Sequence, residues 1–445
     1  HVESGGPLSG RAGVNVPVVD VGLDVLTAHD ERELDVAAHT EVDFVAASFV
    51  RNAADIYTIN EAIEDRGADI PVIAKIERAD AVSQVGEIIE AADGVMVARG
   101  DLGVECPMEE VPMIQKRIIR RCHAAGVPVI TATEMLDSMT HARRPTRAEA
   151  TDVVNAVLDG TDAVMLSGET AIGDHPVRVV ETMDSLIGEV ERSTEYTERV
   201  EDTVPEPGES RTDVLARAAR YLARDIDATA VVAATESGYT ARKAAKYRPE
   251  VPIVAVTPND GVRRRLSLSA GVSARYAPLT GPDESGDAVI RNAVQTAIET
   301  GITESGDTVV VLAGMMTDLE GANTTNTLKV HVAAEIIGSG RSVVSGRVSG
   351  PIHRAEDGDL TALPDGAIVV LSTDFDAEFS GDPARLGGII SAHEGVTGYA
   401  AIVARELDIP MISDVSLPDA FTGVVTLDAS RGVVYEGRVG DQPRT

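Results

Sequence analysis

The chain is 445 residues long, 43% hydrophobic and only 3% aromatic, with 72 acidic against 39 basic residues and a formal net charge of −33 at pH 7. That length suggests roughly two to four domains, and an acidic excess spread through every segment argues against binding nucleic acid or an anionic membrane. No apolar run approaches the roughly 18 residues of a membrane span, and no signal pattern opens the chain; its two cysteines, Cys106 and Cys122, are too few for a disulfide framework, so a reducing cytoplasm is expected.

Lysine occurs only at Lys75, Lys116, Lys243, Lys246 and Lys329. Dispersed acid with little lysine and few aromatics fits the surface of a salt-adapted protein, kept soluble by net charge at high ionic strength. A calcium-binding acidic protein is the competing reading, but no D-x-[DN]-x-[DN]-G loop is present, and the histidines lack metal-ligand spacing.

From residue 40 to 192 the pattern alternates strand, loop and helix. Strand-like runs are "VDFVAASF" (42–49), "PVIAKIE" (71–77), "GVMVARG" (94–100), "PVITAT" (128–133) and "DAVMLSG" (162–168), with helical stretches at 52–66, 79–92, 109–125 and 146–159. Such alternation predicts parallel strands with crossover helices. Each strand ends in polar residues: Ser48, Lys75 with Glu77, Arg99 to Asp101, Thr131 with Thr133, and Ser167 with Glu169. In a (β/α) barrel the chemistry gathers at that face. Residues 193–211 are acidic and contain two prolines, which predicts an irregular linker. A second α/β unit follows at 212–335, with strands at 228–235, 252–257 and 307–314 and helices near 213–225 and 287–299. A third unit, 340–440, opens with "GSGRSVVSGRVSG" and closes with strand-like "VVTLDAS" and "GVVYEGRV".

Positions i and i+2 of a strand face the same way, so Lys75 and Glu77 project together at their strand's end, with Asp101 just past the next strand. Two carboxylates from neighbouring strand ends, with substrate oxygens, suit Mg²⁺. A lysine beside that ion suits a phosphoryl group or a developing enolate. A surface ion pair at a strand end is the plain alternative for Lys75 and Glu77; five polar-tipped strands in succession favour a site.

"IPVIAKIERADAV" (70–82) resembles the active-site signature of the pyruvate kinase family. "VNVPVVDV" (14–21), "ASFVR" (47–51), "MVARGDLGVE" (96–105), "PVITATEMLDSM" (128–139) and "RPTRAEATDVVNAVLDGTDAVMLSGETAIGDHP" (144–176) agree with it in order and spacing. The resemblance covers about residues 10–335. It implies phosphoryl transfer from phosphoenolpyruvate to ADP, giving pyruvate and ATP in glycolysis. It makes Lys75 the catalytic lysine and Glu77 and Asp101 the ligands of Mg²⁺ or Mn²⁺. Ala98, Arg99, Gly100 and Asp101 then form the substrate loop, whose backbone N–H groups hold the carboxylate. Thr133 serves carboxylate binding and protonation, and Ser167 with Glu169 supports the proton relay. The resemblance also implies a homotetramer and a K⁺ requirement. Taken with the composition, it is similar to a halophilic-archaeal type of the family.

The match opens at "HVESGGPLSGRAGVN", which looks like the end of the family's lid domain. Five of the eight barrel strands are then expected in this sequence, without the family's potassium and nucleotide residues, so an incomplete chain that is inactive by itself is expected. The fold implied is α/β: a partial TIM (β/α)8-type barrel (1–192), the linker (193–211), the family's carboxy-terminal α/β domain (212–335), and a swivelling phosphohistidine-like β/α domain (340–440).

In the second unit, "TESGYTARKAAKYRP" (235–249) joins a strand to a helix, so Ser237, Gly238 and Thr240 offer backbone N–H groups to an effector phosphate. Glu236 and the segment "AGMMTDLEGANTTNT" (313–327) speak against a bisphosphate sugar, and Thr240 as a simple helix cap is the plain reading. The third unit resembles the mobile domain of phosphoenolpyruvate-utilising enzymes through "ARLGGIISAHEGVTGYAAIVARELDIP" (384–410) and "VTLDASRGVVYEG" (425–437). Where that motif carries histidine this chain has Tyr399, whose phenol, with a pKa of roughly 10, cannot replace imidazole as phosphate carrier. His393 reads as a surface loop residue. A structural or assembly role is expected for this unit. Two alternatives to a kinase remain: a non-catalytic metabolite-binding or assembly protein derived from the family, and a different Mg²⁺-dependent enolate enzyme on a barrel.

Overall fold

The computed structural model describes residues 24–278, 286–304, 306–314, 325–334, 336–355, 358–393, 395–418 and 421–439. The motif at 14–21 and most of the segment 313–327 lie outside the described residues. Two compact units are formed. One comprises the chain up to Arg217 with Glu236–Glu250 and Asn259–Ala274; the other comprises Ala218–Thr235, Val251–Pro258 and Arg275 onward.

In the first unit, β1 (Val45–Ala47), β2 (Val72–Ile76), β3 (Gly94–Ala98), β4 (Val129–Ala132) and β5 (Ala163–Val164) pair in parallel and in chain order. Their near-continuous apolar sequences fit burial on both faces. On one face Val72, Ala74, Ile76, Val95, Val97 and Val129 pack against helix residues such as Ile56, Ile59, Ile88, Ile118 and Ile119. On the other, Ile73, Met96, Ile130 and Ala132 pack with Phe44, Met165 and Leu268. The two sets alternate along each strand, as a period of two requires.

The crossover helices are Ala53–Glu64, Val111–Ala125 and Arg147–Leu158, while the expected helix 79–92 is broken at Gln84 into Ala79–Ser83 and Val85–Ala91. Local chemistry sets several of their ends. Asn52 caps the first by accepting from Asp55 N at 3.2 Å, and Gly126 ends the second with φ 75°. Thr146 and Glu149 form a capping box at the start of Arg147–Leu158. Two further expectations change. The strand predicted to 100 ends at Ala98, because a helix, Arg99–Glu105, begins directly after it. The predicted irregular linker holds a helix, Thr194–Thr203, capped by Ser193 and burying none of its residues.

Asp213 ties two further segments of this unit together. Its Oδ1 accepts from Lys246 Nζ at 2.8 Å and from the Tyr247 hydroxyl at 2.9 Å; its Oδ2 accepts from Ser210 Oγ at 2.7 Å and pairs with Lys243 Nζ at 3.1 Å. Burial raises the Asp213 pKa, but the Lys246, Ser210, Lys243 and Tyr247 donors outweigh it and hold the carboxyl well below its usual range.

In the second unit, Ala230–Ala234 pairs in parallel with Ile253–Thr257 and with Thr308–Ala313, whose other edge takes Thr327–Val332 antiparallel. Ile290, Ala293, Val294 and Ala297 of the helix Gly286–Glu299 share this sheet's core. Beyond it lies a mixed eight-stranded sheet. Its centre runs parallel from Arg347–Ala355 through Ala367–Leu371 and Leu386–Ser391 to Met411–Ser413, with Val424–Asp428 antiparallel to the first of these. Among the described residues, no helix is long and apolar enough to cross a membrane.

Asp213→Asn leaves Lys246 without its buried countercharge and is expected to cost about 3 kcal/mol at pH 7. The folded-state pKa is depressed, so this stabilisation is complete above the unfolded-state value of about 4 and is lost as pH falls through the folded-state value. Urea titrations of both proteins between pH 7 and pH 3 check this: the gap is constant down to about pH 4 and narrows below it.

Candidate functional site at the strand ends

Parallel pairing in chain order places the ends of the five strands on one rim, with neighbours about 4.8 Å apart. Three clusters form there. At the first, Lys75 and Glu77 face the same way, as their spacing predicts, and Lys75 Nζ lies 2.6 Å from Glu77 Oε1. The lysine also donates to Ser48 Oγ on the β1 end at 2.8 Å. Glu77 is 1% exposed and Lys75 24%, so the pair is not a surface ion pair. The other carboxylate oxygen, Oε2, accepts from Phe49 N at 2.7 Å. That bond is made with Phe49 at φ 57°, a left-handed conformation unusual for a bulky residue.

The second cluster joins the ends of β3 and β4. Thr133 and Glu134 are both left-handed, at φ 77° and 55°, and strain of this kind costs about 1–3 kcal/mol per residue. Gly100 sits against Thr133: a Cβ there would lie 2.7 Å from Thr133 Cγ2, closer than real contacts allow. Arg99 donates from Nε to Ala132 O at 3.1 Å and from Nη2 to Thr133 O at 2.7 Å, and its Nη1 pairs with Asp152 Oδ2 at 2.6 Å. Ala98 is buried, whereas Gly100 and Asp101 are exposed in the first turn of the Arg99–Glu105 helix, where backbone N–H groups have no intrahelical acceptor.

The third cluster links β5 to the turn after β4. Glu169, 2% exposed, accepts from Ser167 N at 2.6 Å and from Leu136 N at 3.2 Å. That turn is pinned from its other side by Glu149, which accepts from Ser138 N at 2.7 Å and Ser138 Oγ at 2.6 Å as well as from the Thr146 cap. Burial raises the Glu149 pKa, and these bonds more than reverse it. The "RPTRAE" motif is thus a capping box that also fixes a rim turn. Thr131, grouped with the rim in the sequence, is instead fully buried and donates to Thr161 Oγ1 at 3.1 Å.

Glu77 and Asp101 follow the ends of adjacent strands, and their donor set fits a hard divalent ion such as Mg²⁺, which accepts few carboxylates and completes its shell with water and substrate oxygens. No group of three or more His, Cys, Asp or Glu side chains forms a metal cage among the described residues. Sequence reasoning missed the Phe49 amide and the Asp152 carboxylate. Neither has a local signal, since one acts through an unusual backbone angle and the other from a helix remote in sequence.

Away from the rim, Gly238 is left-handed at φ 81° and caps the helix Tyr239–Lys246, with Ser237 Oγ accepting from Tyr239 N at 3.4 Å and Thr240 buried. In the second unit, Tyr399 is the first residue of the helix Tyr399–Leu407, 42% exposed, with its ring 5.8 Å from that of Phe379.

Residues 1–180 match the family "Pyruvate kinase, barrel domain", 213–331 match "Pyruvate kinase, alpha/beta domain", and 363–432 match "PEP-utilising enzyme, mobile domain". The chain is similar to the pyruvate kinase of Bacillus licheniformis, 42% identical over 446 residues, covering 98% of this chain and 74% of the relative. The Geobacillus stearothermophilus pyruvate kinase is also 42% identical, over 447 residues and with the same coverage. That of Staphylococcus aureus (strain USA300) is 40% identical over 439 residues, covering 97% and 74%.

Gly100→Ala forces its new methyl into Thr133 Cγ2 and is expected to destabilise the first unit by about 1–3 kcal/mol. Thr133→Ser removes that methyl, so the double variant should recover most of the loss. Equilibrium unfolding of the two single variants and the double variant checks it.

Proposed function

Because the chain belongs to the pyruvate kinase family, we propose that the strand-end rim transfers the phosphoryl group of phosphoenolpyruvate to ADP, forming ATP and enolpyruvate, which is then protonated to pyruvate. The observation that carries this reading is the ammonium of Lys75, held between Glu77 Oε1 and Ser48 Oγ at the open end of a parallel strand. Held there, it meets negative charge as that charge develops on the transferring phosphoryl group and on the enolate oxygen. Glu77 and Asp101 would hold the divalent ion, Mg²⁺ or Mn²⁺, which supplies charge neutralisation at the phosphoryl and enolate oxygens when bound. The first-turn N–H groups after Ala98, at Arg99, Gly100 and Asp101, receive the substrate carboxylate. Thr133 orients that carboxylate and stands in the path of the proton delivered to the enolate carbon. Ser167, its backbone fixed by Glu169, supports that proton's route. K⁺ belongs to the reading through the family, and no residue of this chain is assigned to it.

Several finer readings accompany this one. The dispersed charge of −33 supports salt adaptation. The free thiols Cys106 and Cys122 support a cytoplasmic, reducing setting. The family supports a homotetramer. Left-handed Gly238, between Ser237 and Thr240, supports a phosphate-holding effector turn. The division 1–192, 193–211, 212–335 and 340–440 is our reading of the domains. We assign no phosphate-carrier chemistry to Tyr399, whose ring packs near Phe379. A non-catalytic relative would have no need of the linked Ser48, Lys75, Glu77 and Phe49 cluster.

Pyruvate formation from phosphoenolpyruvate and ADP, in Mg²⁺ and KCl, tests the proposal. Lys75→Ala should lower kcat by about 10²–10³-fold with a smaller change in KM, because its partner charge grows in the transition state. Turnover that this variant leaves intact would assign the chemistry elsewhere. A folded wild-type chain with no turnover would show that these residues alone do not suffice. Melting temperature and light-scattering mass across a KCl series check the salt and assembly readings. Both should rise toward molar KCl, and a melting temperature that falls with salt would sink the first.

A further inference from the structure

The Arg99 guanidinium carries five N–H donors, and the protein itself supplies five acceptors. Nε donates to Ala132 O at 3.1 Å, and Nη2 to Thr133 O at 2.7 Å and Met135 Sδ at 2.9 Å. Nη1 pairs with Asp152 Oδ2 at 2.6 Å and reaches Gln115 Oε1 at 3.5 Å. A side chain with every donor engaged in this way is not poised to bind substrate, although its own backbone lies on the substrate loop. Its acceptors have a pattern: successive carbonyls, Ala132 and Thr133, at the point where the chain leaves β4 and turns left-handed at Thr133 and Glu134. A β-branched residue does not hold that conformation unaided.

We propose that Arg99 is a positioning residue, whose side chain, tethered by Asp152, holds the backbone of Thr133 in its left-handed conformation and so fixes the substrate loop and the Thr133 side chain as one body. The fork is suited to this because two nitrogens on one rigid plane meet two consecutive carbonyls, which a lysine ammonium cannot do. Asp152 lies on the helix Arg147–Leu158 and Gln115 on Val111–Ala125. Gln115 Nε2 in turn donates to Asp159 Oδ2 at 3.2 Å, and Asp159 also pairs with Lys116. The plane of the guanidinium is therefore set from two outer helices, while Gly100 leaves room for Thr133 beside it. The inference rests on the reading that Thr133 serves the phosphoenolpyruvate site.

Arg99→Lys, Asp152→Asn and their combination test it in the full chain, by amide hydrogen exchange over residues 131–139, by kcat and KM for each substrate, and by melting temperature. Arg99→Lys should speed exchange in that segment about tenfold or more with the rest of the unit unchanged. It should also lower kcat by about 10²-fold while KM for ADP and the melting temperature hold. The double variant should be no worse than Arg99→Lys alone, because the two residues act as a unit. Unchanged exchange at 131–139, strictly additive losses, or a fall in kcat matched by a general loss of stability would each overturn the proposal. If Arg99→Lys does not fold, Asp152→Asn carries the same readouts. If the wild-type chain shows no turnover, the kinase reading fails on that result, while the exchange data still decide whether Arg99 holds Thr133.

Discussion

A carboxylate buried to 1% exposure must have its charge and its lone pairs answered inside the protein, and the rim is arranged around how Glu77 achieves this. Lys75, two residues earlier on the same strand face, supplies the countercharge. Phe49, at the end of the neighbouring strand, supplies an N–H from a left-handed backbone conformation. Ser48, one residue before it, then fills a place on the lysine. Two hydrogen bonds thereby join the ends of the two strands, and the ion pair within one of them holds both bonding groups in place. The lysine that answers the carboxylate is the same group we propose to meet the transferring phosphoryl group.

The same economy recurs one strand further on. Thr133 is strained, and the strain is held from two sides: Arg99 fixes its carbonyl, and Gly100 makes space for its methyl. Glu169 and Glu149 complete the pattern by gripping the following turn through backbone N–H groups at Leu136 and Ser138. Acidic side chains here do more than decorate a surface. Glu77 and Glu169 are buried, and the bonds of Glu77, Glu149 and Glu169 to backbone donors give the strand ends a fixed shape.

In the second unit an aromatic side chain, Tyr399, stands at the start of a helix. The helix that begins at Tyr399 is present with its preceding glycine, and the sheet around it is complete in its parallel centre. The phenol at its first position packs near Phe379, which itself lies 5.7 Å from Phe375. The three rings form an aromatic cluster that packs at the start of this helix.

The sequence by itself determined the parallel sheet and its order in the first unit. Alternating apolar strands with crossover helices admit few topologies, and i, i+2 spacing alone put Lys75 and Glu77 on one face. Helix ends were legible too, since Asn52, Gly126 and the Thr146–Glu149 box act on backbone atoms within a few residues. It misjudged Thr131, because a hydroxyl at a strand end reads the same whether it faces the rim or bonds a buried neighbour such as Thr161. It also missed the helix Thr194–Thr203, whose acidic residues leave only Tyr196 and Val200 half-buried, too weak an apolar stripe to read. Only the tertiary structure decided the backbone angles of Phe49, Thr133 and Glu134, the pairing of Arg99 with Asp152, and the four-donor environment of Asp213. In each of these, the energy that fixes the conformation comes from groups far apart in the chain, which no local pattern of residue types encodes.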